Sequence, residues 1–374
     1  MDKPPLISVC IISGDEGLAP SLSGQPDEGK PILERLLLSL EKSQVGDEYV
    51  ISWNGTKSDE LNSITKRFGA KVFTRPWDSD FGAARQHSFE QATGIFRGFF
   101  DTDDVIDWPS GKFRKFVSDH SVHHLIVVPY NYEVTAGGHL KRSLMVNRFC
   151  RWDYGWSFAG KVHEELKPYR RGRVLATRDW SLPVLHFQVK ADSLNRNVAI
   201  LQGVLELDGP SFKTLRDLGV ALASAHLKSQ EAVAQAVAQL TAAIEIAPSL
   251  EDKFLVLDQL AALNIKNKRF DAAEANAQEM LKCLPRRREP HFILSHCSYE
   301  SGDFEGTVDH YHLGDLAPDR QLLAVESPQR DVAARLLAGC AYLALGAKTV
   351  ARKMLEQVYQ DTNDLAIQRI LERL

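Results

Sequence analysis

Asp101, Asp103 and Asp104 stand together in FFDTDDVI, residues 99–106. Carboxylates at i and i+2 on a strand-to-turn corner can hold a hard divalent ion, and such an ion can bridge a diphosphate that the aspartates alone would repel. Asp-x-Asp also arises by chance in solvated acidic turns, so the surrounding residues must decide. WSFAGKVHEEL, residues 156–166, supplies a second group, His163 followed by Glu164 and Glu165. Imidazole is an acceptable further ligand for a manganese-type ion, and a neighbouring carboxylate can take an acceptor's proton. Lys167, Arg170, Arg171 and Arg173 then surround Tyr169, and Arg286, Arg287 and Arg288 form another basic run. Runs of this kind are commonly solvated surface, although cations around an aromatic ring also suit a nucleic-acid lip.

Regular elements must bring these groups together. The β-branched run at 6–12 reads as a strand buried on both faces. After a Gly, Pro and Ser-rich stretch at 13–31, ILERLLLSLEKS reads as an amphipathic helix. Strands at 48–52, 70–74 and 96–100 alternate with helices at 58–68 and 81–93, and the last strand delivers Asp101 to its carboxyl end. Such βα alternation predicts an α/β fold with a mostly parallel sheet, whose ligands bind beyond the carboxyl ends of the strands. Further strands are expected at 124–130, 139–149 and 182–186. From 191 onward the periodicity is helical and alanine-rich. Three segments repeat a helix-turn-helix unit of tetratricopeptide length, marked by Ala261, Phe270, Ala273 and Pro285, by Gly302, Phe304 and Pro318, and by Gly339, Tyr342, Gly346 and Ala351. The expectation is a catalytic domain at 1–190 and a helical-repeat domain at 191–374.

The chain has 374 residues, more than one core usually organises, and its net charge of −4 carries no global nucleic-acid signature. Its five cysteines are scattered, without a Cys-x-x-Cys pair, and read as buried thiols in a reducing compartment. With no signal-like start and no apolar run of the ~20 residues that span a bilayer, a cytoplasmic location without membrane attachment is expected.

The string WDSDFGAARQHSFEQATGIFRGFFDTDD, with Trp77, Asp80, Phe81, Ala84, Arg85, Ala92, Thr93, Gly94 and the three aspartates, resembles family 2 glycosyltransferases. It is most similar to the group with C-terminal tetratricopeptide repeats that includes bacteriocin S-glycosyltransferases. The resemblance covers most of residues 5–200 and implies a GT-A fold followed by an all-α tetratricopeptide-like repeat domain. It further implies an inverting hexosyltransferase using a nucleotide-sugar donor, a UDP-sugar by expectation, with Mn2+ or Mg2+. By the resemblance Asp101, Asp103 and His163 hold the metal, Asp101 also lies near the ribose, and Arg85 and Asp80 lie on the nucleotide side. Glu164 is the expected base; Glu165 and Asp104 remain alternatives for that role.

One departure touches the nucleotide. The family carries Asp-x-Gly-Ser after its second strand, whereas this chain has ISWNGTKSD, so Trp53 or Asn54 takes the base-reading place by stacking or by hydrogen bonding. The 13–31 stretch is an apparent insertion at the ligand edge, where a lid would sit. A peptide or protein side chain is the favoured acceptor. Three readings compete. A modified, hydroxymethylated base in DNA is the alternative acceptor raised by the basic runs. A degenerate, non-catalytic scaffold is a second, disfavoured by Asp101, Asp103, His163 and Glu164 together. A nucleotidyltransferase is a third, disfavoured by the acidic turn at 13–16. The DNA reading requires duplex binding that falls steeply with added salt, and no binding at low salt excludes it.

Overall fold

ISVCIIS becomes strand β1 (Ile7–Ser13), buried on both faces, because its β-branched residues leave no polar side to present to water. The computed structural model describes residues 5–134, 140–170, 172–187, 193–225, 229–317, 325–326 and 328–374. They fall into two compact units, Met1–Ala191 and Asp192–Leu374.

In the first unit β1 is followed by helix α1 (Ile32–Lys42), β2 (Glu48–Trp53), α2 (Asp59–Arg67), β3 (Lys71–Thr74), α3 (Phe81–Gln91) and β4 (Phe96–Asp101). Next come β5 (Asp104–Ile106), α4 (Lys112–Asp119), β6 (Leu125–Val134), β7 (Leu140–Arg151), β8 (Trp156–Ala159), β9 (Glu165–Pro168), β10 (Ala176–Arg178) and β11 (Val184–His186). The principal sheet runs β3-β2-β1-β4-β7-β6-β11-β5. Its β3-β2-β1-β4 half is parallel. Beyond β4 the sheet is mixed, since β7 is antiparallel to both β4 and β6 while β11 is parallel to β6. The α/β fold is as expected, its sheet parallel through β3-β2-β1-β4 and at β6-β11, with β7 and β5 running antiparallel to their neighbours. The order reverses between β1 and β4, so their carboxyl ends open a crevice, the place where such sheets accept ligands. Ile12 pairs with Asp101 there, and His186 of β11 pairs with Asp104 of β5.

Helices α2 and α3 start where short polar side chains bond their exposed amides. Ser58 accepts from Leu61 N at 3.1 Å to begin α2, and Asp80 accepts from Ala83 N at 2.8 Å to begin α3. Leu33, Leu36, Leu37 and Leu40 of α1 pack onto the apolar core with Ile7, Val9, Ile11 and Phe100. The 14–31 stretch folds on itself: Ser21 N donates to Lys30 O at 2.7 Å, and Ile32 N donates to Ala19 O at 3.0 Å.

At the far edge of the sheet, Glu48 is buried and gathers donors from several elements. It accepts from Lys71 Nζ at 2.7 Å, Thr93 N at 2.8 Å, Thr93 Oγ1 at 3.0 Å and Ser8 Oγ. The Ala92-Thr93-Gly94 turn is thus the anchor that returns the chain into β4.

The second unit contains helices α5 (Ser193–Asp208), α6 (Phe212–Ala225), α7 (Gln230–Glu245), α8 (Leu250–Lys266) and α9 (Phe270–Cys283). It continues with α10 (Glu289–Ser301), α11 (Phe304–Leu316), α12 (Pro328–Ala344), α13 (Lys348–Thr362) and α14 (Leu365–Leu371). Consecutive helices pack on one another, α6 with α7, α8 with α9, α10 with α11 and α12 with α13. Small residues set their spacing. Ala261, Ala273 and Ala277 are fully buried against Phe254, Leu257 and Met280. Gly339 of α12 meets Leu355 of α13 so closely that a Cβ would lie 3.1 Å from its methyl group. Gly302 closes α10 in the left-handed conformation. Pro318 lies outside the described residues. Among the described residues no helix is long and apolar enough to cross a membrane.

Burial alone would raise the Glu48 carboxyl, but its bonds with Lys71, Ser8 and Thr93 bring it down to about 2. A depressed carboxylate stabilises the fold fully above its unfolded value and loses that contribution as pH falls toward the folded value. Glu48→Gln is therefore expected to lower unfolding free energy at pH 7 by about 2–3 kcal/mol and to flatten the stability profile between pH 4.5 and pH 2. Urea melts across that window, with the variant as steep in pH as the native chain, would refute this role.

Candidate active site

Asp101 ends β4 at the crevice, and the three residues after it turn the chain sharply into β5. Asp104, at the start of β5, has no exposed surface and holds the turn from below. Its Oδ2 accepts from Asp101 N at 2.9 Å and lies 3.5 Å from Arg148 Nη1. Its Oδ1 accepts from Tyr130 Oη at 3.0 Å and lies 2.9 Å from His186 Nδ1. Tyr130 Oη is also 2.7 Å from that nitrogen and 3.5 Å from Asp101 Oδ2. Asp103 Oδ1 lies 3.7 Å from the same nitrogen. Asp101, Asp104 and His186 each place a ligand-type atom within 4.8 Å of the others.

Arginines balance this charge. Arg148 of β7 is boxed by Phe99 and Tyr130, each ring centre 4.5 Å from its guanidinium carbon, and donates to Phe99 O at 3.0 Å. Arg35 of α1 is equally buried. It donates to Gln25 Oε1 at 2.7 Å and to Asp103 O at 3.3 Å, which ties the 14–31 loop to the acidic turn. Phe187 N, following His186, donates to the same Asp103 oxygen at 3.0 Å.

Arg85 works from α3. It lies 4.5 Å from the Phe99 ring centre, bonds Asp101 Oδ1 through Nη2 at 2.7 Å, and pairs with Glu164 through Nε. Its Nη1 is buried without a hydrogen-bond partner. A Cβ on Gly82 would collide with the carbonyl of Gly160, so the bare glycine lets the 160–164 loop come close enough for Glu164 to reach Arg85. Phe81 N donates to Lys161 O at 2.9 Å beside it.

These neighbours set the protonation states. Burial opposes charge on Arg85, but Asp101 and Glu164 outweigh it and push the guanidinium above its ordinary value. Burial would also raise Asp101, whereas Arg85, His186 and Arg148 hold it well below the usual carboxylate range. For His186, burial disfavours the cation, yet the bond to Asp104 and the charges of Asp103 and Asp101 raise it to about 9. Burial and the nearby aspartates push the Tyr130 phenol well above its usual value, so its hydroxyl keeps its proton.

Residues 27–168 match the model of glycosyl transferase family 2. The first unit therefore carries a glycosyltransferase domain, and the matched range includes the acidic turn, Arg85 and Glu164. No curated protein matches the chain. Among solved structures it is similar to TarS of S. aureus, at 15% identity and TM-score 0.38, with 74% of this chain and 55% of that one covered. It is also similar to YrrB, described as a TPR protein with an unusual peptide-binding site, at 15% identity and TM-score 0.36, over 49% of this chain and 85% of that one. MamA aligns at 18% identity and TM-score 0.34, over 46% of this chain and 89% of that one.

Several expected site residues of the glycosyltransferase domain lie elsewhere than the sequence suggested. His163 is exposed on a left-handed turn, φ 50°, and stands outside the carboxylate–imidazole cluster; the imidazole in the cluster belongs to His186. Glu164 is turned inward by the same turn, while Glu165 faces solvent beside Lys167 at 2.9 Å. Trp53 is fully buried in the core and donates through Nε1 to Thr56 O, so it has no face to stack on a base. Asn54 is half-buried at the carboxyl end of β2, its amide folded over Gly14. Asp80 is occupied in capping α3. Asp104 is enclosed too completely to meet an acceptor.

The basic runs divide. Lys167, Tyr169, Arg170 and Arg173 are exposed, whereas Arg171 lies outside the described residues. Arg287 is buried against Glu289 and Arg288 is paired with Asp331, so that run supports the repeat fold and offers no open cationic lip; Arg286 beside them is exposed. Sequence reasoning missed His186, Tyr130, Arg148 and Arg35. The available signal for the first two was position, since each closes or nearly closes an expected strand.

Because Trp53 fills core space, Trp53→Ala is expected to cost about 3–5 kcal/mol in denaturant unfolding and to leave the order of preference among nucleotides unchanged. An altered base preference at native stability would return the indole to the ligand side.

Proposed function

We propose that this chain is an inverting glycosyltransferase that moves a sugar from a nucleotide-sugar donor, a UDP-sugar, to a macromolecular acceptor. The observation that carries the reading is the meeting of Asp101 and Asp103 with His186 at the carboxyl edge of β4, inside a family 2 domain.

The donor chemistry fits a divalent ion of the Mn2+ or Mg2+ kind: hard carboxylate oxygens with one imidazole, at a strand end facing the crevice. Asp103 and His186 would hold it, with Asp101 beside the ribose. When bound, the ion supplies positive charge to the departing diphosphate. Arg85 adds a fixed cation there, and its partnerless Nη1 suits a phosphate or ribose oxygen. Asn54, half-buried at the end of β2, is placed to bond a base edge.

Glu164 takes the acceptor's proton, its carboxylate aligned by Arg85. The acceptor's oxygen or sulfur then bonds the anomeric carbon as the bond to the diphosphate breaks. Nucleoside diphosphate leaves from the opposite face, and the sugar carbon inverts. A peptide or protein side chain is the acceptor class favoured by the resemblance to repeat-bearing transferases. The pairing of Arg287 and Arg288 removes one of the two supports for a DNA acceptor.

Two substitutions test the reading. Asp103→Ala is expected to abolish transfer and manganese-dependent donor hydrolysis while thermal unfolding stays cooperative. Glu164→Gln, which preserves a hydrogen bond to Arg85, is expected to lower kcat by about 10²–10⁴-fold with donor affinity retained. Product analysis by mass spectrometry with a panel of nucleotide sugars reads both. Near-native turnover in Asp103→Ala would remove that residue from the site, and near-native turnover in Glu164→Gln would remove Glu164 as the base.

A further inference from the structure

Strands β1 and β2 run parallel with Ser13 opposite Trp53, so the residues that follow them emerge together at the carboxyl edge of the sheet. Two glycines let the emerging loops interlock. A Cβ on Gly14 would lie 2.0 Å from Asn54 Oδ1, and one on Gly55 would lie 2.3 Å from Asp15 Oδ1 and 2.6 Å from Asp15 N. Asn54 N donates to Ser13 O at 2.9 Å, and Thr56 N donates to Asp15 Oδ1 at 2.7 Å. A carboxylate from the loop after β1 is thereby fixed against the loop after β2, just beyond the indole of Trp53 that has turned into the core. Asp15 is exposed, and among the described residues its Oδ2 makes one long contact, 3.4 Å from Thr56 Oγ1. One oxygen holds the side chain in place while the other keeps lone pairs for a ligand.

We propose that Asp15 is the base-reading residue of the donor site and that its Oδ2 accepts the imide N–H of uracil. This rests on the proposed nucleotide-sugar reading and deepens it by naming the group that selects the nucleotide. A carboxylate of this kind only accepts. Uracil presents an N–H between two carbonyl oxygens, whereas cytosine and adenine present a bare ring nitrogen at that place, and its lone pair would meet those of the carboxylate. Asn54, folded over Gly14 beside Asp15, offers an amide donor for one of the flanking carbonyls. Donor and acceptor on the protein thus match acceptor and donor on the base, and a base that leaves such groups facing their like is rejected strongly. The spacing agrees. β1 alone separates β2 from β4, so Asp15 and Asp101 lie about two strand spacings, or about 10 Å, apart. A nucleoside with its hydrogen bonds spans that gap, with the base at Asp15 and the ribose at Asp101. Glu16 is the rival carboxylate, since its Oε2 also lies near Gly14, 2.6 Å from where a Cβ would stand. Asp15 is chosen because the Thr56 amide aligns it with the end of β2.

Asp15→Asn is the decisive variant. Its amide oxygen can still accept from Thr56 N, so the loops stay joined, while an NH2 group replaces the second oxygen and now suits the ring nitrogen of cytosine. Affinities of the purified full chain for UDP, GDP, CDP and ADP, each with manganese, are read by calorimetry. The native chain is expected to favour UDP. Asp15→Asn is expected to bind UDP about 10–100-fold more weakly and CDP more tightly, so that the order of the two reverses. Gly55→Ala, whose methyl group would displace the Asp15 carboxylate, is expected to erase the preference between them, and Glu16→Gln to leave it as in the native chain.

A purely structural Asp15 would give equal losses for UDP and CDP in Asp15→Asn, and that result, or unchanged UDP affinity, would overturn the assignment. Reversal in Glu16→Gln would overturn it in favour of the neighbouring carboxylate. Should Asp15→Asn fail to fold, an unaltered preference in Gly55→Ala overturns it equally. A native chain that favours another diphosphate over UDP removes this role for Asp15 and leaves a transferase with a different donor. If the native chain binds none of the four, the nucleotide-sugar reading itself falls.

Discussion

A single enclosed carboxylate organises the cleft. Asp104 receives Asp101 N, Tyr130 Oη, His186 and Arg148, and these belong to β4, β6, β11 and β7. A charge so far from water is tolerated only when donors surround it, and removing one of them leaves the rest uncompensated. The strands therefore cannot shift independently. The acidic turn, the imidazole and the aromatic box around Arg148 form one rigid corner. Rigidity of that kind is what a site needs if it is to stabilise charge without reorganising.

A second ionic chain extends the corner outward. Asp101 is held by Arg85, and Arg85 by Glu164, so the end of β4 and the loop before β9 are joined through a side chain from α3. The arrangement depends on Gly82, whose missing side chain allows the loop to approach. Arg35 performs a comparable task on the other flank, joining the 14–31 loop to Asp103 O. Both flanks thus use a buried guanidinium, which offers several fixed donors and can bridge groups that a single ammonium could not. The same feature makes the corner crowded with charge, with Asp101, Asp103, Asp104 and Glu164 set against Arg85, Arg148, Arg35 and His186.

The second unit follows simpler rules. Its helices are spaced by Ala and Gly at contacts, and α10, α12 and α13 are followed by Gly302, Gly346 and Asn363, residues that accept the left-handed conformation. Its basic run at 286–288 shows how composition misleads. Arg287 and Arg288 are spent on Glu289 and Asp331, and neither carboxylate is marked in the sequence as a partner.

Period and punctuation were enough to read β1 to β4, the helices between them, the carboxyl-end position of the aspartates and the helical second half, because those features are local. A strand buried on both faces must be apolar, and a capped helix must begin at a short polar residue. What the sequence could not supply was direction and long-range pairing. Trp53 and Asn54 are neighbours, yet alternation along β2 sends the indole into the core. His163 and Glu164 are neighbours too, and a left-handed turn decides which one faces inward. The parallel half of the sheet was readable from its βα rhythm, while the reversal at β7 was not, since antiparallel pairing leaves no such period. His186 stands 82 residues beyond Asp104, and only the pairing of β11 with β5 makes them partners. Residue types settled what chemistry the chain could do; the sheet register settled which of two histidines stands beside the acid.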